Sequence, residues 1–153
     1  MGQKTRPDAF RLGIINNWKS RWFPKKNYKA PLEEDMIIRR IIKRKISDAG
    51  IVDIQIERNA NNVYAIYIKA AKPGFIIGRG GQGIEELSKL IDANLKKLFI
   101  KRGDKNPTVN LRLNIEELKR SEISSQYVAQ GIAWDMEKRL PFRRLLKKNI
   151  ESA

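Results

Sequence analysis

Phe75-Ile76-Ile77-Gly78-Arg79-Gly80-Gly81-Gln82-Gly83-Ile84 sets four glycines within six residues between two apolar anchors. The flanking Phe and Ile side chains are expected to tie the loop down. The backbone between them is nearly free of Cβ obstruction and can approach a phosphate chain closely. Upstream, Lys72-Pro73-Gly74 stops the preceding element. Downstream, Ile84, Leu87, Ile91, Leu95 and Leu98 recur at helical spacing, so the loop opens an amphipathic helix whose first amides favour anionic oxygens. Arg79 adds a fixed positive charge in the loop.

Working outward, Val52, Ile54 and Ile56 alternate with Asp53, Gln55 and Glu57, and Tyr64, Ile66 and Ile68 alternate with Ala65, Tyr67 and Lys69. Joined through Asn59-Ala60-Asn61-Asn62, they predict a β-hairpin with one buried face. Before it, Ile38, Ile41, Ile42 and Ile46 form the apolar stripe of a helix that Gly50 ends. Glu33, Glu34 and Asp35 are expected to open that helix, near the positive end of its dipole. Its opposite face carries Arg39, Arg40, Lys43 and Arg44, expected to be solvated. After a break at Gly103 to Pro107, Val109, Leu111, Leu113 and Ile115 alternate with Asn110, Arg112 and Asn114 as a third strand.

That order predicts an α+β domain over residues 31–115, with helices packed on one face of a three-stranded sheet. Residues 1–30 form a basic arm in which Phe10, Trp18, Trp22, Phe23 and Tyr28 interleave with Lys4, Arg6, Arg11, Lys19 and Arg21. Aromatic faces stack on bases and cations neutralise phosphates, although Trp and Phe in an arm also dock it onto its own domain. Residues 116–153 read as mainly helical: Ser121 to Arg139 is one helix, and Pro141 suits the first position of another.

Composition narrows the function. Lys and Arg number 32 against 17 acids, a net charge of +15 that calls for a polyanion. Nucleic acid fits, whereas the longest apolar runs are far too short to cross a bilayer core of roughly 30 Å. With no Cys and no His, thiolate nucleophiles, imidazole bases, disulfides and the common zinc sites are excluded, and no enzyme, cofactor or metal is expected. Met1-Gly2-Gln3-Lys4-Thr5-Arg6 has Arg6 where a myristoylation signal needs Ser or Thr, and no apolar leader follows, so the chain is expected to stay where it is made.

Gly78-Arg79-Gly80-Gly81 is similar to the GxxG loop of K-homology RNA-binding modules, where glycines admit the sugar-phosphate backbone of about four nucleotides. Gly78, Gly80 and Gly83 also spell a dinucleotide fingerprint, with Asp104 near the spacing of a ribose-binding acid. That fingerprint needs a strand running directly into the loop and a parallel βαβ sheet, but Pro73-Gly74 and a further apolar segment intervene. No Lys-Ser or Lys-Thr closes the loop as a Walker A site requires. A merely structural turn between helices is the plainer alternative.

Across the chain, Met1-Gly2-Gln3-Lys4, Arg11-Leu12-Gly13-Ile14, Trp18, Trp22-Phe23, Glu57-Arg58, the run Lys72 to Gly81 and Glu137-Lys138-Arg139-Leu140-Pro141-Phe142-Arg143-Arg144 together resemble the bacterial type of the ribosomal protein S three family. The resemblance implies a type II K-homology domain followed by a second α/β domain, both in the head of the small ribosomal subunit. Its partners would be ribosomal RNA, messenger RNA and the neighbouring proteins S ten and S fourteen, and its location the cytoplasm or a translating organelle. RNA contacts are expected from Lys4, Arg6, Arg11, Lys19 and Arg21 of the arm and from Gly78, Arg79, Gly80 and Gly81.

In that family a basic cluster on a helix of the second domain faces incoming messenger RNA, and the matching positions are Arg143, Arg144 and Lys147. From the spacing alone, Arg143 with Lys147 and Arg144 with Lys148 project on neighbouring ridges of one helix, while Phe142, Leu146 and Ile150 mark its apolar side. Such a face suits phosphate binding without base reading. The family continues well past Ala153 with strands that complete its second domain. Without them Ile123, Val128, Ile132, Met136, Phe142, Leu146 and Ile150 are expected to lack sheet cover, and the second domain is only partial. A free K-homology regulator or RNA chaperone is the other binding function that fits, and the basic arm favours the ribosome.

Overall fold

The computed structural model describes residues 2–24, 27–59, 63–104, 107–118 and 124–152. Two strands form the centre: β2 (Ile51–Asn59) and β3 (Val63–Ala70) pair antiparallel, with Ile54 opposite Ile68 and Ile56 opposite Ile66. The expected turn at residues 60–62 lies outside the described residues. Alternation holds along both strands, so Ile54, Ile56, Tyr64, Ile66 and Ile68 point inward and are buried. From β3 the chain crosses over through α3 (Pro73–Ile77), a 3-10 turn at Arg79–Gly81 and α4 (Gln82–Lys101) to β4 (Asn110–Glu117), which pairs parallel to β3. Helix α2 (Lys29–Lys45) packs on the same face as α4. Ile38, Ile42 and Ile46 of α2, Ile76 of α3, and Leu87, Ile91, Leu95 and Phe99 of α4 close one core with the inward sheet residues. Along α4 the buried stripe follows four-residue steps, so Phe99 rather than Leu98 is its last core residue.

The sheet has four strands rather than three, in the order β1-β2-β3-β4. The added one, β1 (Ser20–Arg21), belongs to the arm and pairs parallel to β2, with the Ile56 amide donating to the Lys19 carbonyl at 2.9 Å. A short helix, α1 (Pro7–Phe10), precedes it. Two residues are too few for any periodicity to show, and the strand is held by side chains from elsewhere. Ser20 Oγ and Trp22 Nε1 both donate to the buried Asp35 carboxylate, at 2.6 and 2.9 Å, and the Trp22 ring packs 5.3 Å from Tyr28. Arg39, expected on a solvated face, turns onto the sheet instead and donates to the carbonyls of Ile54 and Lys19 and to Ser20 Oγ, at 2.6, 2.9 and 3.0 Å. Trp22 therefore docks the arm while Trp18 stays 62% exposed.

The acids of α2 do not act as expected. The helix begins at Lys29, so Glu33, Glu34 and Asp35 lie a turn inside it, where they do not complement its dipole. Glu34 is buried and receives Arg58, Arg102 and the Tyr64 hydroxyl, at 2.5, 2.5 and 2.7 Å. Arg102 also bonds Glu33 at 2.7 Å and the Ala30 carbonyl at 3.0 Å, fastening the end of α4 to the start of α2. Burial beside Glu34 pushes the Tyr64 phenol far up, so it remains a donor. The Arg102 hydrogen bond holds Glu33 below the usual carboxylate range.

Beyond the sheet, α5 (Ser125–Glu137) is capped by Ser124, whose Oγ accepts from the Tyr127 amide at 3.5 Å, and α6 (Phe142–Ser152) follows Pro141. The first part of the expected helix, residues 121–123, lies outside the described residues. Tyr127 seats its ring over Gly50, where a Cβ would come within 2.6 Å of it. Helix α6 rests chiefly on α5 and buries Leu145, whereas Met136, Phe142, Leu146 and Ile150 stay exposed. No helix among the described residues is long and apolar enough to cross a membrane.

Candidate nucleic-acid interface

The glycine loop joins α3 to α4, and its four glycines divide into two pairs with different tasks. Gly78 and Gly83 close the loop. At Gly83 a Cβ would lie 2.4 Å from the Ile76 carbonyl oxygen, and at Gly78, with φ 70° and ψ −178°, it would lie 3.1 Å from the Gly83 nitrogen. Gly80 and Gly81 have φ of 62° and 83° with nothing within 4 Å of where a Cβ would stand. Those two form an open, left-handed arch over which another backbone can pass. Arg79 is exposed at its crest, and the twenty-residue α4 begins directly behind it, its Gln82 amide donating to the Arg79 carbonyl and its N-terminus carrying the positive end of the helix dipole.

Beside the arch runs a groove of about 310 Å³ lined by Ile84, Glu85, Ser88 and Lys89 of α4 and by Leu111 and Leu113 of β4. Its floor is apolar, Lys89 stands on the helix wall with Glu85 at 3.8 Å, and the opposite wall is an edge strand. An edge strand presents a row of backbone donors and acceptors on its outer side. Leu111 and Leu113 were expected only as alternating residues of a strand. Their alternation marks an inward face, but only the tertiary placement of α4 beside β4 shows that the face widens into a groove.

The dinucleotide alternative fails on this geometry. The loop follows a helix, not a strand, and Asp104 lies beyond the far end of α4, about 30 Å away at 1.5 Å per residue.

The remaining expected RNA contacts are spread over other elements. Lys4 and Arg6 are exposed in the arm, and Arg11 donates to the Pro7 carbonyl at 3.1 Å. Lys19 and Arg21 lie by the outer face of the sheet, ion-paired with Asp53 at 3.2 Å and Glu57 at 2.6 Å. On the same face Lys69 pairs with Glu116 at 3.5 Å, so much of its charge is balanced. Burial raises the Asp53 carboxyl, but hydrogen bonds from Gln55 and Lys19 outweigh it and leave the group below its ordinary range. Arg143, Arg144 and Lys147 stand exposed on α6, with Arg143 over the Phe142 ring at 5.8 Å and Lys147 at 3.9 Å from Glu151. The structure thus brings Gly78, Arg79, Gly80 and Gly81 together as one site and holds the arm and α6 cations on separate elements.

The helix-loop-helix around an open glycine arch, inserted between parallel strands, matches a known sequence family. The KH domain family aligns with residues 37–123, more than half of the chain. This chain belongs to the KH domain family. Over nearly its whole length it is also similar to bacterial proteins named small ribosomal subunit protein uS3. It is 41% identical to that of Desulfitobacterium hafniense over 151 residues, which cover 99% of this chain and 63% of the relative. Identity is 45% over 152 residues with that of Desulforamulus reducens, covering 99% and 63%. With that of Clostridium perfringens strain 13 it is 42% over 154 residues, covering 100% and 64%. The chain therefore spans just under two thirds of the length of these relatives.

Proposed function

We propose that this chain is a structural, RNA-binding constituent of the small ribosomal subunit, with no catalytic chemistry of its own. Its arm, residues 1–30, and its KH domain, residues 31–115, hold ribosomal RNA in the subunit head beside proteins S ten and S fourteen. The helical segment 116–153 presents α6 to the path along which messenger RNA enters. Phosphates are gripped by Lys4, Arg6, Arg11, Lys19 and Arg21 in the arm, and by the amides and Arg79 of the glycine arch. On α6 the grip comes from Arg143, Arg144 and Lys147, while translocation supplies any work of opening a hairpin.

The observation that carries this reading is similarity over nearly the whole chain, arm and α6 included, to ribosomal relatives at about 40% identity. A KH domain acting as a free regulator would account for the arch and groove, yet it gives no reason for the basic arm and the α6 cluster to match as well.

Crosslinking and sequencing of RNA bound to the chain in cells tests it, with Gly80→Asp and the double variant Arg143→Glu/Arg144→Glu beside the parent. Small-subunit ribosomal RNA is expected to dominate, with messenger crosslinks falling selectively in the α6 variant. Scattered transcripts that depend on Gly80 would make the chain a free regulator or chaperone instead.

A further inference from the structure

Between α3 and α5 lies a second depression of about 430 Å³, lined by Lys72 and Phe75 of the KH domain and by Trp134, Glu137 and Lys138 at the end of α5. Its size falls in the roughly 300–1,000 Å³ range of ligand pockets. Helix α3 has five residues and buries only Ile76, which leaves Phe75 69% exposed. Lys72 Nζ lies 5.8 Å from the Phe75 ring centroid, and Lys138 Nζ pairs with Asp135 at 3.9 Å while its side chain remains 72% exposed. The half-buried Trp134 forms the facing wall.

We propose that this depression is a base-stacking subsite for one nucleotide of a single-stranded RNA that also crosses the glycine arch. The inference rests on the RNA-binding reading above and extends it to a position that the arch and its groove do not cover. Three features point to a nucleotide. An exposed ring, Phe75, facing the half-buried Trp134 and flanked by lysines is an arrangement that takes a base on its face and a phosphate on its rim. Phe75 is three residues, about 5 Å of helix rise, from Gly78, so a backbone passing over Gly80 and Gly81 delivers its neighbouring nucleotide here. Glu137 offers an acceptor at the pocket edge, which suits an amine-bearing base and repels a phosphate from that corner. The +15 charge of the chain favours RNA over a basic or neutral peptide as the occupant.

Equilibrium binding of the full chain to a labelled single-stranded RNA, with each nucleotide in turn made abasic, tests the subsite. Phe75→Ala is expected to weaken binding about five- to one-hundred-and-fiftyfold, the worth of one stacked base, and Phe75→Tyr to restore it. One abasic position is expected to penalise the parent and leave Phe75→Ala unaffected, and ultraviolet crosslinks from that position are expected on Phe75 or Trp134. Because Phe75 is exposed, its replacement leaves the core intact. Unchanged affinity in Phe75→Ala, or a loss that is the same at every abasic position, overturns the subsite. Gly80→Asp separates the two readings: lost binding in this variant beside normal Phe75→Ala removes only the stacking subsite. Unchanged binding in Gly80→Asp removes the reading in which RNA crosses the glycine arch, on which the subsite rests.

Discussion

Two glycines in one loop illustrate how a single atom divides structure from function. A methyl at Gly83 would meet the Ile76 carbonyl at 2.4 Å and the Ile77 carbonyl at 3.0 Å, all backbone with no flexible side chain to yield. Gly83→Ala is therefore expected to destabilise the domain by about 1–3 kcal/mol, read as a lower urea midpoint at unchanged slope. Gly80 faces open space, so Gly80→Asp carries mainly the strain of a positive φ, about 1–2 kcal/mol, and its larger effect falls on RNA binding, through a carboxylate set in the path of phosphates. The reverse ranking in melting and binding would refute this division. Glu34 is the other decisive residue. Removing it takes the shared buried carboxylate away from Arg58, Arg102 and the Tyr64 hydroxyl, and Glu34→Ala is expected to cost about 3–5 kcal/mol by denaturant unfolding. A cost below about 1 kcal/mol would show that water screens the pair.

Among the elements, β1 is the one whose existence depends most on its neighbours. Besides Ser20, Trp22 and Arg39, it is held by the Lys19–Asp53 pair, and the Asp53 carboxyl lies below its ordinary value of 3.8. A carboxyl depressed by folding stabilises at pH above its unfolded value and loses that contribution as pH falls through the lower folded value. Attachment of β1 is thus expected to weaken below about pH 4, with Asp53→Asn removing this part of the acid dependence. Hydrogen-exchange protection of the Ile56 amide, which donates to Lys19, reads the outcome once the intrinsic pH dependence of exchange is divided out, and a pH-independent protection factor there would contradict it. Helix α6 makes a functional prediction. Arg143→Glu/Arg144→Glu is expected to slow translation through stable messenger hairpins while unstructured messages pass normally. Normal passage through hairpins would remove α6 from the messenger path.

For the whole molecule, the +15 charge is unevenly used: the outer face of the sheet pairs Lys19, Arg21 and Lys69 with acids, while the arch and α6 leave cations facing solvent. Replacing Arg79 by Gln is expected to weaken single-stranded RNA uniformly across sequences and to lower the slope of log K against log salt by about 0.7, the share of one phosphate contact. A sequence-dependent loss with an unchanged slope would instead make Arg79 a base reader. The α+β class, the order of the helix, the hairpin and the crossover, and the glycine arch were all legible in the chain. Periods of two and near four residues, and glycines at fixed offsets, act locally on the backbone wherever it lies. Four features were not legible: β1, the inward turn of Arg39, the role of Glu34 and Asp35 as buried receivers, and the widening of Leu111 and Leu113 into a groove. Each depends on a partner far along the chain. A carboxylate at a helix start reads the same whether it faces a dipole or Arg102, and a two-residue strand has no period at all. Folding alone brought Arg102 to Glu34, 68 residues away, and Ser20 to Ile56, because burying the shared apolar face of α2, α4 and the sheet fixed which side chains had to meet.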